Sequence, residues 1–479
     1  MNRKEFIYAL EIFGGTLLLG SVVGGITGTL LHNAKNQTVV TYAKAMNTSL
    51  PVTNKTSIVF HPDYFLFKIP ASGGIREHSE RLIAVMEKIN SDTELSLLPV
   101  YSPRAATFEE IAAIHRKSYI QYIQSAQVLP PSESMINYTH KSNKIPIMAS
   151  NHKKIPLSNS SITPIIVKTA SPTVLPAETP KPFIESPVFS PPEETVKENP
   201  GVKEEEEEDT LTEMVTPFYS AALSAGGALM AVDLVMKKQA PNAYALIRPP
   251  GHHARPNKYK GFCVFNNVAI AARYAQKTYN IHKILIIDWD VHHGNGTQEM
   301  FYDDSSVLYF SIHQAGIYPG TGHIYECGTG KGLGYTINAP MPAHTGMDGY
   351  IDVFKYVLEQ IVYKFKPELI LISAGQDAHY LEKIGASMNM TDEGYIALTS
   401  MVKKWADDLC EGRLVAVMEG GYNPKSVSGA TAAIIATLAG INISKTPAPS
   451  LKNSIGYKFQ IKNILNQQRQ HWRGLISYQ

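Results

Sequence analysis

Ile284-Leu285-Ile286-Ile287-Asp288-Trp289-Asp290-Val291-His292-His293-Gly294-Asn295-Gly296-Thr297 decides how this chain of 479 residues is read. Four aliphatic residues in a row read as a buried strand. The chain then switches at once to carboxylates and imidazoles. Asp288, Asp290 and His292 are spaced two apart, and in extended chain such residues point to one side. Mixed oxygen and nitrogen donors of this kind suit zinc or another borderline divalent metal.

Three further segments repeat the pattern. Ala243 to Ile247 leads into Arg248-Pro249-Pro250-Gly251-His252-His253-Ala254. Glu368 to Ser373 leads into Ala374-Gly375-Gln376-Asp377-Ala378-His379. Arg413 to Met418 leads into Glu419-Gly420-Gly421-Tyr422-Asn423. Each is a short apolar run that ends in glycine and chemically capable side chains. Helix-like stretches, such as Asn267 to Gln276 and Tyr350 to Phe365, lie between them. Alternating strand and helix predicts an α/β fold, a mainly parallel sheet covered by helices on both faces. Sites in such sheets lie beyond the carboxyl ends of the strands, so all four segments deliver their side chains to one rim. A metal on Asp290, His292 and Asp377 has three protein ligands and an open position, the pattern of a catalytic site. His252-His253 supplies a base and an acid. Tyr422 can donate a hydrogen bond to a developing oxyanion. The expected reaction is metal-assisted hydrolysis of an amide or similar carbonyl compound.

The motifs RPPGHHA (248–254), GFCVFNN (261–267), DWDVHHGNGTQ (288–298), SIHQ (311–314) with YPGTG (318–322), SAGQDAH (373–379) and EGGY (419–422) occur in this order. Together they resemble the histone deacetylase/acetylpolyamine amidohydrolase family, and its class II-type and bacterial deacetylase-like members above all. The resemblance runs from about Thr56 to Gly440, with one large interruption. It implies an arginase-like three-layer α/β fold and removal of acyl groups from amines, most often from lysine side chains.

Carried over residue by residue, the resemblance places the zinc ligands at Asp290, His292 and Asp377. It makes His252 the electrostatic histidine, His253 the general base and acid, and Tyr422 the transition-state tyrosine. Asp288 is expected to orient His252. Asn295 is the expected partner of His253, the class II-type choice where class I members have Asp. Asp288 and Ser311 match a structural potassium site. Gly261, Phe262, Tyr318 and Ile384 match the acyl-lysine tunnel, and Asp209 matches a rim carboxylate that grips the substrate backbone. Ile384 stands where polyamine-selective members can carry Glu, which favours acetylated protein or peptide over acetylated polyamine. Gln376 departs from the usual aromatic before Asp377. A 2-Asp-1-His set also accommodates Fe(2+) or Co(2+). A non-catalytic acyl-lysine-binding scaffold is the remaining alternative, and intact His252, His253 and Tyr422 argue against it.

Lys and Arg number 44 against 42 acidic residues, a net charge of +2 that gives no drive toward nucleic acid. Three scattered cysteines, Cys263, Cys327 and Cys410, form no CxxC and predict neither a disulfide framework nor a thiolate zinc site. His313, His323, His344 and His379 read as loop or supporting histidines. Ile12 to Leu31 carries no charge and is long enough to span the roughly 30 Å core of a bilayer. Residues 1–34 are therefore expected to anchor the chain in a membrane, or alternatively to act as a signal segment for secretion. The catalytic domain is expected over 55–126 and 209–445. Residues 127–208 are rich in Pro, Ser, Thr and Lys and end in five glutamates, the composition of a disordered insertion. In the tail, 446–479, Ile455, Phe459, Ile461, Ile464 and Leu465 have rough helical spacing and predict a terminal helix.

Overall fold

The computed structural model describes residues 53, 55–67, 77–126, 216–382, 386–443, 449, 451 and 453–478, together with short strands at 30–32 and 38–40. The expected insertion at 127–208 lies outside these residues, as do Asp209 and Ile384. So does the N-terminal apolar run, except for its last two residues. Leu30 and Leu31 pair antiparallel with Val40 and Val39 instead of ending a helix.

The chain forms an eight-stranded, all-parallel sheet. Its strands are β1 (Ser57–Val59), β2 (Val100–Tyr101), β3 (Asn242–Ala245), β4 (Ile284–Asp288), β5 (Val307–Gln314), β6 (Thr336–Met341), β7 (Leu369–Ala374) and β8 (Leu414–Met418). Their spatial order is β2-β1-β3-β8-β7-β4-β5-β6. Every residue of β3, β4, β7 and β8 is buried. That is why these strands read as unbroken apolar runs and not as alternating ones.

Two helical layers cover the sheet. One contains α1 (Glu80–Ser91), α6 (Met347–Val353), α7 (Glu359–Phe365), α8 (Asp392–Leu409), α9 (Pro424–Ala439) and the tail helix α10 (Tyr457–Gln468). The other contains α2 (Lys117–Ser125), α3 (Pro217–Met236), α4 (Asn267–Tyr279) and α5 (Asn295–Phe301). α3 is the one described helix long and apolar enough to cross a bilayer, and most of it is buried inside the domain. The expected helix from Tyr350 to Phe365 begins earlier, at Met347, and opens into a π turn at Phe354–Leu358. The tail helix forms, with Ile461, Ile464 and Leu465 buried, but Ile455 precedes it fully exposed and Phe459 faces outward.

This strand order places the site. The chain leaves β3, skips two positions to lay down β4, and later fills the gap with β7 and β8. The reversal opens a crevice at the carboxyl ends of those four neighbours. Local caps aim the loops there. Asn423 accepts from the Lys425 amide, ahead of Pro424 at the first position of α9, and so ends the Tyr422 loop sharply.

Candidate active site

The alternation argument fails one residue past the strand. β4 ends at Asp288, where the backbone bends: Asp288 Oδ1 accepts from the Asp290 amide at 3.2 Å, and Asp290 Oδ1 from the His292 amide at 2.9 Å. The other oxygen of Asp288, Oδ2, is taken up by His252 Nδ1 and the Tyr309 hydroxyl, both at 3.0 Å. Asp290, His292 and Asp377, the three expected ligands, bring one ligand atom each within 4.8 Å of one another. His292 Nδ1 lies 3.1 Å from Asp290 Oδ1 and 3.0 Å from Asp377 Oδ2. Gly420 N–H holds Asp290 Oδ2 at 2.8 Å, and Val291 N–H holds Asp377 Oδ1 at 2.8 Å.

Glycines make room for this cluster. A Cβ on Gly375 would sit 2.1 Å from Asp290 Oδ2, and one on Gly420 would sit 2.4 Å from both Asp290 Oδ2 and Asp377 Oδ2. Two buried carboxylates this close repel. Burial first, and Asp290 second, push the Asp377 carboxyl up to about 6. Burial also works against the Asp290 carboxylate, but His252 and His292 outweigh it and hold its pKa well below the ordinary value. A divalent cation removes the repulsion between the pair, and two carboxylates with one imidazole fit zinc.

His252 and His253 lie 4.0 Å apart between ring centroids, their planes tilted by 38°, yet their environments are opposite. His252 Nδ1 is 3.0 Å from Asp288 Oδ2. Burial opposes its charge, but Asp290 and Asp288 outweigh burial and push it up to about 10. His253 Nδ1 meets the carboxamide Oδ1 of Asn295 at 2.9 Å. Burial first, and the neighbouring His252 next, drive His253 well below its ordinary value. Its Nδ1–H donates to Asn295, so Nε2 is left with a lone pair. The carboxylate beside His252 thus favours its charged form, and the carboxamide beside His253 leaves its neutral form favoured.

Tyr422 is buried after β8, with the Arg81 guanidinium 4.7 Å above its ring and Phe262 at 5.6 Å. Burial pushes its phenol well above the ordinary range, so it remains a proton donor. Phe262 packs edge-on against Tyr422, and Tyr318 packs edge-on against His253 at 5.0 Å. A Cβ on Gly261 would collide with His253 Cδ2 at 2.4 Å, so the Gly261 loop closes on the histidine only because this residue is glycine. Gln376 points into packing, with Nε2 donating to Tyr244 Oη at 3.0 Å and to the Ala374 carbonyl at 2.6 Å. Ser311 lies opposite Asp288 in the β4–β5 register, and its hydroxyl meets His313 Nδ1 at 2.9 Å.

Several residues outside the candidate set also support the site. Tyr309 donates to Asp288 Oδ2 at 3.0 Å. Glu419 accepts from the Gly251 and His252 amides at 2.6 and 3.1 Å and from Ser373 at 3.0 Å. Arg81 donates to the Glu419 carbonyl and to Glu77, which also pairs with Arg248 at 2.7 Å. His252, Cys263 and Glu419 also bring polar atoms within 4.8 Å of one another. Both Glu419 oxygens already have donors, however, and burial pushes the Cys263 thiol up, which keeps it protonated. All three cysteines are free. His313 and His379 are buried supporting residues, while His323 and His344 are exposed.

Residues 75–438 match the family model for the histone deacetylase domain. A probable deacetylase of Archaeoglobus fulgidus is 48% identical over 236 residues, covering 48% of this chain and 64% of that one. A histone deacetylase-like amidohydrolase of Pseudomonas aeruginosa is 38% identical over 225 residues, 47% of this chain and 59% of its own. The chain thus spans about two thirds or less of these curated relatives. The crystal structure of the HDA15 HD domain superposes with a TM-score of 0.65 at 26% identity, covering 88% of this chain and 97% of that one. With the arginase-like sheet, the ligand cluster and the histidine pair in place, the chain belongs to the histone deacetylase family.

Proposed function

We propose that this protein is a zinc-dependent hydrolase that removes acetyl or other acyl groups from lysine side chains of proteins. One observation carries the reading: a three-ligand cluster, two adjacent histidines held by Asp288 and by Asn295, and a buried tyrosine converge at the ends of four adjacent strands. Asp290, His292 and Asp377 would hold the metal. When bound, zinc supplies Lewis acidity, acidifying a water and polarising a carbonyl.

The chain's own groups do the rest. Phe262 and Tyr318 take the apolar stem of the acyl-lysine between them. His253 accepts the proton of the attacking water at Nε2 while Asn295 holds Nδ1–H. The water oxygen bonds to the acyl carbon, and Tyr422 donates a hydrogen bond to the oxygen that gains charge. The C–N bond then breaks, and His253 returns its proton to the leaving amine. His252 remains an imidazolium beside Asp288 and contributes fixed positive charge. The products are a carboxylic acid and the free lysine amine.

Ile384 supports a protein or peptide substrate, because an apolar residue there gives a second amine nothing to pair with. Asp209 is assigned to gripping the substrate backbone, and Asp288 with Ser311 to a structural potassium ion. The uncharged run from Ile12 to Leu31 supports membrane attachment. The test is turnover of an acetyl-lysine peptide by the zinc-loaded protein and by His253→Ala and Tyr422→Phe. Both variants should fold, bind zinc and lose nearly all activity. Substantial turnover by either means the roles are misassigned.

A further inference from the structure

We infer that Glu382 is a positioning residue that acts through Tyr422; the inference rests on the reading of Tyr422 as the oxyanion donor. A single oxygen of Glu382, Oε1, accepts from the Tyr422 amide at 2.9 Å, the Asn423 amide at 2.9 Å and the Ser426 hydroxyl at 2.6 Å. The preceding Leu381 carbonyl accepts from Asn423 Nδ2 at 3.1 Å. Glu382 is only 6% exposed, and no cationic side chain pairs with it among the described residues. Its charge is met instead by these donors at the amino end of α9, where the helix dipole favours an anion.

The geometry of the Tyr422 loop explains why a buried carboxylate belongs there. Gly420 N–H is held by Asp290, one of the proposed metal ligands, at 2.8 Å. Tyr422 N–H is held by Glu382. Between them Gly421 has φ +115, a conformation only glycine enters freely, so it is a natural hinge. The loop is therefore pinned on both sides of the hinge by two different carboxylates. Glu382 itself lies five residues beyond Asp377, on a short segment fixed by Tyr380 N–H to the Met390 carbonyl and Glu382 N–H to the His379 carbonyl, both at 2.9 Å. Glu382 thus ties the Asp377 loop to the Tyr422 loop and sets the distance between the metal ligands and the phenol. Without it, Gly421 is free to swing Tyr422 away from the reacting carbonyl.

The test is a double-mutant cycle on the full chain with an acetyl-lysine peptide. Glu382→Ala should lower kcat roughly 100-fold, the scale of a 1 Å misplacement. Glu382→Gln, which keeps the shape and a weaker acceptor, should lower it about tenfold. KM and zinc content should stay near wild type. In a Tyr422→Phe background, Glu382→Ala should add less than about threefold, because both changes remove one function. Amide exchange at Tyr422 and Asn423 should accelerate in Glu382→Ala, while exchange at Asp290 and His292 is unchanged. Multiplicative losses in the double variant, unchanged kcat in Glu382→Ala, or unchanged exchange at Tyr422 would each overturn the proposal. If Glu382→Ala does not fold, Glu382→Gln enters the same cycle. Full turnover by Tyr422→Phe alone would instead sink the functional reading, and the exchange measurement would still report on the Glu382 contact.

Discussion

Gly420→Ala should disarm the site without changing any proposed ligand. The added methyl carbon would lie 2.4 Å from Asp290 Oδ2 and 2.4 Å from Asp377 Oδ2, where ordinary contact begins near 3.4 Å. Each oxygen would have to retreat by about 1 Å. The backbone cannot yield in their place. Gly420 N–H is bonded to Asp290 Oδ2 at 2.8 Å, and its carbonyl accepts from Gln376 N–H at 2.9 Å. The carboxylates therefore splay. A misplacement of about 1 Å costs roughly 100-fold in rate, which is about 2.7 kcal/mol of transition-state stabilisation. Zinc affinity should fall by roughly 10- to 100-fold as well. Gly456→Ala is the control, since nothing lies closer than 3.9 Å to its Cβ position and its φ is −80. The assay is zinc affinity by competition with a chelator, followed by turnover at saturating zinc. Wild-type affinity and turnover in Gly420→Ala would refute the cradle argument.

Asn295→Asp should place a carboxylate on His253 Nδ1 and raise its pKa. The neutral base is then available only at higher pH, so the acidic limb of kcat/KM should move up by roughly one to two pH units. A limb that does not move would mean that His253 is not the base. Acid should destabilise the fold through His115, whose Nε2 accepts from the Asn266 amide at 2.9 Å and which burial lowers from 6.5 to about 4. Above pH 6.5 the ring is neutral in both states. Between pH 6.5 and 4 only the unfolded chain takes up the proton, so stability falls as pH falls, by roughly 3 kcal/mol in total. Denaturant titrations of His115→Gln should show a slope shallower by about one proton in that window, and an unchanged slope would contradict the assignment. Chelation should abolish turnover, and zinc should restore it. Persistent activity in metal-free protein would remove the metal from the reaction.

The strands and the groups at their ends were legible because both are local. Ile284 to Ile287, Leu369 to Ser373 and Leu414 to Met418 are buried on both faces and need apolar residues throughout, and the reactive residues follow within a few positions. Spacing alone puts Asp288, Asp290 and His292 on one side, but alternation holds only in extended chain, and the backbone bends after Asp288. What supports the site was hidden for a different reason. Arg81 meets Glu419 across 338 positions, and Glu382 reaches Tyr422 across 40. Tyr309 sits 21 residues from the Asp288 it steadies. None of these has a periodicity or motif of its own, because each is defined by the strand order that folds it against its partner. In the tail, helical spacing was correct for Ile461 and Leu465 but not for Phe459, since the spacing alone does not say which side the domain covers.

The central claim is tested most directly by giving the zinc-loaded full chain an acetyl-lysine peptide and an acetylated polyamine side by side and measuring acetate release. The account predicts turnover of the peptide in clear preference to the polyamine. Preference for the polyamine would contradict the assigned substrate, and no release from either would contradict deacetylation itself.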